Sequence, residues 1–279
     1  MSKSSPNILL VIAHPDDEAF VAGTLCLCHE YGFDTNIICV TSGEGGDHPF
    51  LDDGDKMRLL KRIRQLELEL SALSLGVSRV ELLGFENAKW DDPNLGRSWD
   101  EDKLAETLAN AFERYCPDLI LTHGPGGGYG HPEHKRLYSA VMSAVSRSKF
   151  CHSVFSFCAA VDNGGYFPQW YEGTRDVEID VRGFHRRRVA SLRYYQSQWD
   201  WFLRRPRRIA SRRFAAALFG RVFAFTAAGR RRIAFTSPEQ LIEKMTLEGF
   251  ALQQSPKGGA AHFFEKYFAG DRRVRLRSR

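Results

Sequence analysis

The chain lacks any apolar run approaching the roughly 18 residues that a membrane-spanning helix needs, and none of its six cysteines forms a CxxC pair. Its first residues, MSKSSPN, show no basic stretch followed by an apolar one, so no secretory leader is expected. Cys26, Cys28, Cys39, Cys116, Cys151 and Cys158 are scattered, several of them on apolar faces. They read as reduced, buried thiols of a cytoplasmic protein, not as disulfides or metal ligands. No internal repeat and no low-complexity linker is present, and no domain boundary stands out. No DNA or RNA motif accompanies the positive charge, so nucleic acid is not an expected partner.

What remains is the composition of an ordinary soluble globular protein, 43% hydrophobic and 26% charged over 279 residues. That is long enough for one large core. Charge is divided unevenly along it. Residues 1–182 carry 28 acidic and 17 basic side chains, and residues 183–279 carry 6 and 22. The two parts therefore face different partners, or each other.

The first 160 residues alternate apolar runs with helical patterns. The runs fall at Ile8–Ala13, Asn36–Thr41, Val80–Leu83, Leu119–Thr122 and Val154–Val161. Helical periodicity occupies about Val21–Tyr31, Lys56–Leu75, Asp102–Tyr115 and Glu133–Ser146. Continuous apolar strands separated by amphipathic helices predict an α/β fold: a Rossmann-like, mostly parallel sheet with helices on both faces. Residues 1–182 are expected to form this core. Residues 183–279 are expected to be a basic, mainly helical region completing the same domain, with "DVEIDV" as an edge strand, a helix over "FHRRRVASLRYYQSQWDWF" and another opened by "SPEQ".

In such sheets ligands gather beyond the carboxyl ends of the strands. Polar residues cluster there four times: His14–Glu18, "SGEGGDH" from Ser42, Asn87 with Asp91, and "HGPGGGYGHPEH" from His123. In "LLVIAHPDDEAF" a buried strand runs directly into three consecutive acids, which repel one another unless a cation neutralises them. His14 and Asp17, three apart at the turn, can point at one spot. The second cluster, His131-Pro132-Glu133-His134, lies on the same rim. A His, a carboxylate and a His from separate segments make a three-ligand N/O site with an open position, as catalytic zinc sites have. A divalent cation there brings the ionisation of water near neutral pH. Of the adjacent Asp16 and Asp17, one suits ligation and the other proton transfer. The same two-His-one-carboxylate set also suits non-haem Fe(II), and a non-catalytic sugar- or lipid-binding module is a third reading.

"AHPDDE", "TSGEGGD", "RQLELELSALSLGV", "LLGFEN" and "YGHPEH", in this order, resemble the LmbE-like (PIG-L) family of zinc-dependent N-acetylglucosaminide deacetylases. With "RRRVASLRYYQSQ" at 186–198, the likeness covers roughly two-thirds of the chain. It implies His14, Asp17 and His134 as ligands of one Zn2+ per chain, with Fe2+ or another divalent metal as the alternative. It implies Asp16 as general base, and His131, protonated, with Tyr129 as oxyanion donors. Arg64 matches a position that contacts sugar hydroxyls, and Glu44 is a candidate substrate contact. Asn87 stands where the family usually has Asp, which changes a substrate or supporting contact. Glu18 suits either a supporting role or a cap on the following helix.

The segment "FLRRPRRIASRRFAAALFGRVFAFTAAGRRRIAF", 202–235, interleaves arginine with phenylalanine and alanine. It reads as a helix with Arg outward, as an element that meets a membrane surface or lipid-linked substrate, or as a homo-oligomer contact.

Overall fold

The structure is a computed structural model. It describes residues 5–46, 53–88, 92, 95, 97–128, 130–149, 153–160, 175–198, 242–243, 245–255 and 262–277. Tyr129, Asp91, Cys151, the 202–235 segment and the helix expected from Ser237 lie outside the described residues.

The central strand β1 (Asn7–Ile12) pairs in parallel with β2 (Asp34–Thr41) on one side and β4 (Leu119–Thr122) on the other. Beyond these lie β3 (Arg79–Phe85), parallel to β2, and β5 (Ser153–Ala160), parallel to β4. The strand β1 shows why its sequence is uniformly apolar. Ile8, Leu10 and Ile12 enter one core, and Leu9, Val11 and Ala13 enter the other, all fully buried. Helices α1 (Ala22–Glu30) and α2 (Asp53–Leu75) cover the first face, and α3 (Glu101–Tyr115) and α4 (Pro132–Arg147) the second. The sheet grows from β1 toward β3 and then, from β4, in the opposite direction. The carboxyl ends of β1 and β4 therefore flank a topological switch point, where open α/β sheets place their ligands.

The C-terminal part departs from the expected pattern. After β5 the sheet turns antiparallel, through β6 (Val177–Asp180), β7 (Leu247–Gln254) and β8 (Val274–Leu276), and the full order is β3-β2-β1-β4-β5-β7-β6-β8. The expected edge strand is β6, but it lies between β7 and β8, paired on both sides. Its alternation arose because Val177 and Ile179 face the core, a pattern an interior strand shares with an edge one. The long helix expected from Phe184 is α5 (His185–Arg193), which stops where Tyr194 and Tyr195 turn back on Ser191 and Leu192. Phe250 of β7, and Phe263 and Phe264 of the short helix α6 (Phe263–Tyr267), join the first core. A buried carboxylate fixes this addition: Glu248 accepts from the Gly23 and Thr24 amides, both at 2.8 Å, at the start of α1. Of the cysteines, Cys26, Cys28 and Cys39 are buried as expected, but Cys116 is exposed. It occupies the left-handed position that ends α3 (φ 45°), where the chain turns outward.

Candidate metal centre

Donor atoms of three side chains meet beyond the ends of β1 and β4. His14 Nδ1 lies 3.2 Å from His134 Nε2 and 3.5 Å from an Asp17 oxygen, and His134 Nε2 lies 3.3 Å from the other Asp17 oxygen. Metal–ligand bonds of about 2.0–2.2 Å at tetrahedral angles separate their donors by about 3.3–3.6 Å. The three edges fit a divalent cation with N/O ligands.

Hydrogen bonds behind these atoms select the tautomers that ligation needs. His134 Nδ1 is 3.2 Å from the Gly127 carbonyl, which can only accept, so the ring proton sits on Nδ1 and the Nε2 lone pair faces the centre. His14 Nε2 is 2.6 Å from Glu133 Oε2, which leaves Nδ1 free to face inward. Glu133 is itself fully buried and takes further hydrogen bonds from Asn87 Nδ2 (3.0 Å) and the Ala88 amide (3.3 Å). Metal-binding histidines are held in this way by carboxylates and carbonyls. Asp17 in turn accepts from the His14 amide at 2.8 Å.

Two further histidines lie close enough to compete. Candidate donor groups also include His131 with His14 and His134, and His123 with Asp17 and His134. One ring nitrogen of each is otherwise engaged. His131 caps α4, its Nδ1 accepting the Glu133 amide at 3.2 Å. His123 Nε2 lies 3.2 Å from Asp17 Oδ2 and 3.3 Å from the Ala13 amide. With the proton on Nε2 it donates to Asp17, and with the proton on Nδ1 its Nε2 accepts from Ala13, so Nε2 is committed in either tautomer. Burial, with His134 nearby, pushes His123 down to about 4, so it is neutral.

Asp16 sits beside the triad in a backbone conformation rare for a non-glycine residue, φ 98°. Its amide donates to Glu18 Oε2 at 3.1 Å, and Arg64 Nη2 grips its carboxylate at 2.7 Å. Glu18, fully buried, also accepts from Ser71 Oγ (2.6 Å) and from Tyr195 Oη, 177 residues away. It therefore supports Asp16, and it also takes a hydrogen bond from its own amide in the first turn of the following helix. Burial raises the Asp16 carboxyl to about 6; Arg64 acts against this and Asp17 with it. A carboxylate in that range is poised to exchange a proton near neutral pH.

Arg64, which the resemblance implied as a sugar contact, is buried beside Asp16. Its terminal nitrogens serve the protein: Nη1 donates to the Gly43 carbonyl at 3.0 Å, and Nη2 to Asp16 and the Pro15 carbonyl. Gly43 (φ 72°) has to be glycine, because a Cβ there would stand 2.6 Å from the guanidinium. Asn87 is likewise engaged at both ends, its Oδ1 accepting the Gly45 amide at 3.0 Å. Glu44 accepts the Asn87 amide through Oε1 at 3.2 Å, while its buried Oε2 has no hydrogen-bond partner among the described residues. His131 is pushed well below the usual range by burial first and then by His134 and His14, so it is a neutral imidazole whose proton is on Nε2. Sequence reasoning missed Glu133 and His123 as site residues. Glu133 lay inside the HPEH motif, but nothing in the sequence shows that it reaches back to His14.

Residues 9–145 match the family model of PIG-L, GlcNAc-PI de-N-acetylase. That match takes in both motifs of the site, from His14 to His134. A curated relative, the 1D-myo-inositol 2-acetamido-2-deoxy-alpha-D-glucopyranoside deacetylase of Corynebacterium diphtheriae, is 38% identical over 143 residues, 46% of this chain and 48% of its own length. The chain spans about half the length of the first curated relatives it matches. Among solved structures, the fold of this chain matches the N,N'-diacetylchitobiose deacetylase of Pyrococcus horikoshii (TM-score 0.58, 19% identity, 90% of this chain and 85% of that one). It matches the 4-carboxy-2-hydroxymuconate hydratase of Pseudomonas putida KT2440 equally well (TM-score 0.59, 18% identity, 92% and 99%). One fold thus carries two different reactions, and the side chains at the centre have to decide between them.

The hydrogen bonds around His14 make metal binding pH-dependent. Burial opposes protonation, but Asp17 and Glu133 together raise His14 to about 10 in the metal-free site. A metal must displace that proton. Affinity is expected to rise about tenfold per pH unit between pH 6 and 8 from this proton alone. Calorimetric titration with metal in buffers of different ionisation enthalpy should read about one proton released; none released would contradict the geometry.

Proposed function

We propose that this chain is a zinc-dependent amide hydrolase that removes the acetyl group from an N-acetylglucosamine-containing substrate in the cytoplasm. The observation that carries the reading is the juxtaposition of an N/O donor triad with Asp16, a carboxylate raised to about 6 on the same turn. The curated relative from C. diphtheriae and the P. horikoshii enzyme are both deacetylases by name, and each name specifies an acetylated sugar.

His14, Asp17 and His134 would hold the metal. A bound divalent cation supplies Lewis acidity, acidifying water and polarising a carbonyl. Asp16 takes the proton of the attacking water, held at the required orientation by Arg64 and by its strained backbone. His131 donates its Nε2–H to the oxyanion that forms from the amide carbonyl, as a neutral donor. Tyr129 is assigned the second donor. Asp16 then returns its proton to the departing amine. Glu44, with one oxygen unpartnered, is the candidate contact for a sugar hydroxyl.

A panel of N-acetylglucosaminides with neutral, anionic and lipid aglycones tests the reading. Acetate and free amine should appear one to one, should stop on chelation, and should return with zinc. Oxygen uptake without acetate would favour an iron oxygenase; binding without turnover would favour a non-catalytic module. Either would overturn the proposal.

A further inference from the structure

Away from the metal centre, α2 turns a second apolar face outward. Leu59, Leu66, Leu70 and Leu73 are 43, 58, 45 and 71% exposed. At about 100° per residue they share an arc of about 60°, and at 1.5 Å per residue the row runs about 21 Å. Single exposed leucines need no explanation, but an aligned row does. The inward side of the same helix is already filled by Leu60, Leu68, Ala72 and Leu75, so the row is no part of the core.

Basic residues border this row. Arg62 is exposed on α2 itself, about 20° from the edge of the row. Beside it lies α5, tied to α2 by Arg187 Nε donating to the Ser74 carbonyl (3.1 Å) and, just past its end, by Ser197 bonding Glu67. The α5 sequence HRRRVASLR has four arginines and no acid, with Arg186 exposed, and Tyr194 follows at 38% exposure. From position 58 onward the exposed acid on α2 is Glu69, held by Gln65 Nε2 at 3.0 Å. An apolar row, basic flanks and a tyrosine at the edge are the chemistry of a helix that lies in a membrane interface.

We propose that the α2–α5 face docks on an anionic lipid bilayer. The leucines enter the boundary between headgroups and acyl chains, and Arg62 and Arg186 face lipid phosphates. Charge favours this occupant over a second copy of the chain, because an isologous pairing brings the same basic flanks together.

The test is sedimentation of the full chain with vesicles of phosphatidylcholine alone or with about 30% phosphatidylglycerol. Binding should be at least about tenfold stronger to the anionic vesicles and should weaken as salt rises. Leu66→Glu with Leu73→Glu should lower it at least about tenfold, with Tm and turnover of a water-soluble N-acetylglucosaminide unchanged. Arg62→Glu with Arg186→Glu, which leaves the leucines in place, should lower it several-fold and serves if the first variant fails to fold. No binding by the wild type would overturn the proposal. Unchanged binding by both variants would assign the membrane contact to residues 199–241, and a wild-type dimer made monomeric by the leucine changes would assign the row to a second copy. Both results would equally overturn it.

Discussion

Replacing His134 with alanine is expected to empty the metal centre and abolish turnover. Its Nε2 forms two of the three donor edges, to His14 and to Asp17, and its ring is anchored from behind by the Gly127 carbonyl. Two remaining ligands leave a cation held by one carboxylate and one imidazole. Loss of a supporting hydrogen bond alone costs about 10–100-fold in metal affinity, and loss of a ligand should exceed that. Elemental analysis after dialysis should find about one metal per wild-type chain and almost none in His134→Ala. Full occupancy in the variant would mean that His131 or His123, both within reach of the same spot, is a ligand instead. Parallel His131→Ala and His123→Ala chains would then identify which. By the present geometry His131→Ala keeps its metal, because its Nδ1 is committed to the Glu133 amide.

The parallel half of the fold was legible because burial on both faces leaves a strong signature. Strand β1 is apolar at every position from Ile8 to Ala13, and the two cores it feeds explain each one. Gly32 and Gly76, after α1 and α2, have φ of 69° and 85°, which is why glycines closed those helical patterns. The antiparallel addition was not legible. Strand β7, "LEGFALQQ", holds a buried charge at Glu248 and a glycine, and its purpose emerges only when Glu248 meets the α1 amides, more than 220 residues away. Local periodicity cannot report a hydrogen bond of that span.

The site divides in the same way. His14, Asp16, Asp17, His131 and His134 could be read because they occupy two short motifs at strand ends, and the structure brings all five together. What surrounds them could not. Glu18 had two readings until Tyr195, from the basic third of the chain, was found bonded to it. Asn87 looked like a departure facing substrate, whereas its amide reaches Glu133 and so bears on His14. A motif states which groups carry chemistry. The residues that orient them come from other elements, and their identity depends on packing.

Asp16→Asn separates chemistry from metal binding. Asparagine is the residue best suited to replace aspartate at φ 98°, since its short polar side chain also tolerates the left-handed region. Its carbonyl can still accept from Arg64, so the turn and the neighbouring ligand Asp17 should stay in place. What it cannot do is accept a proton from water. Turnover is therefore expected to fall about 10²–10⁴-fold, the contribution of a positioned base, with metal content and Tm unchanged. The pH profile supplies the second reading. The base acts as the carboxylate, so the wild-type rate should rise with pH as Asp16 ionises. Burial sets that ionisation at about 6 in the metal-free site, and a bound cation, favouring the anion, moves the limb to or below that value. The residual activity of Asp16→Asn should lack this limb. Removing the Arg64 charge, as Arg64→Gln, should move it upward, because the guanidinium favours the ionised form. An unchanged acid limb in Asp16→Asn, or undiminished turnover, would place the base elsewhere. Glu18 would be the next group to test, since its carboxyl is also raised by burial, to about 7, and it contacts the Asp16 amide.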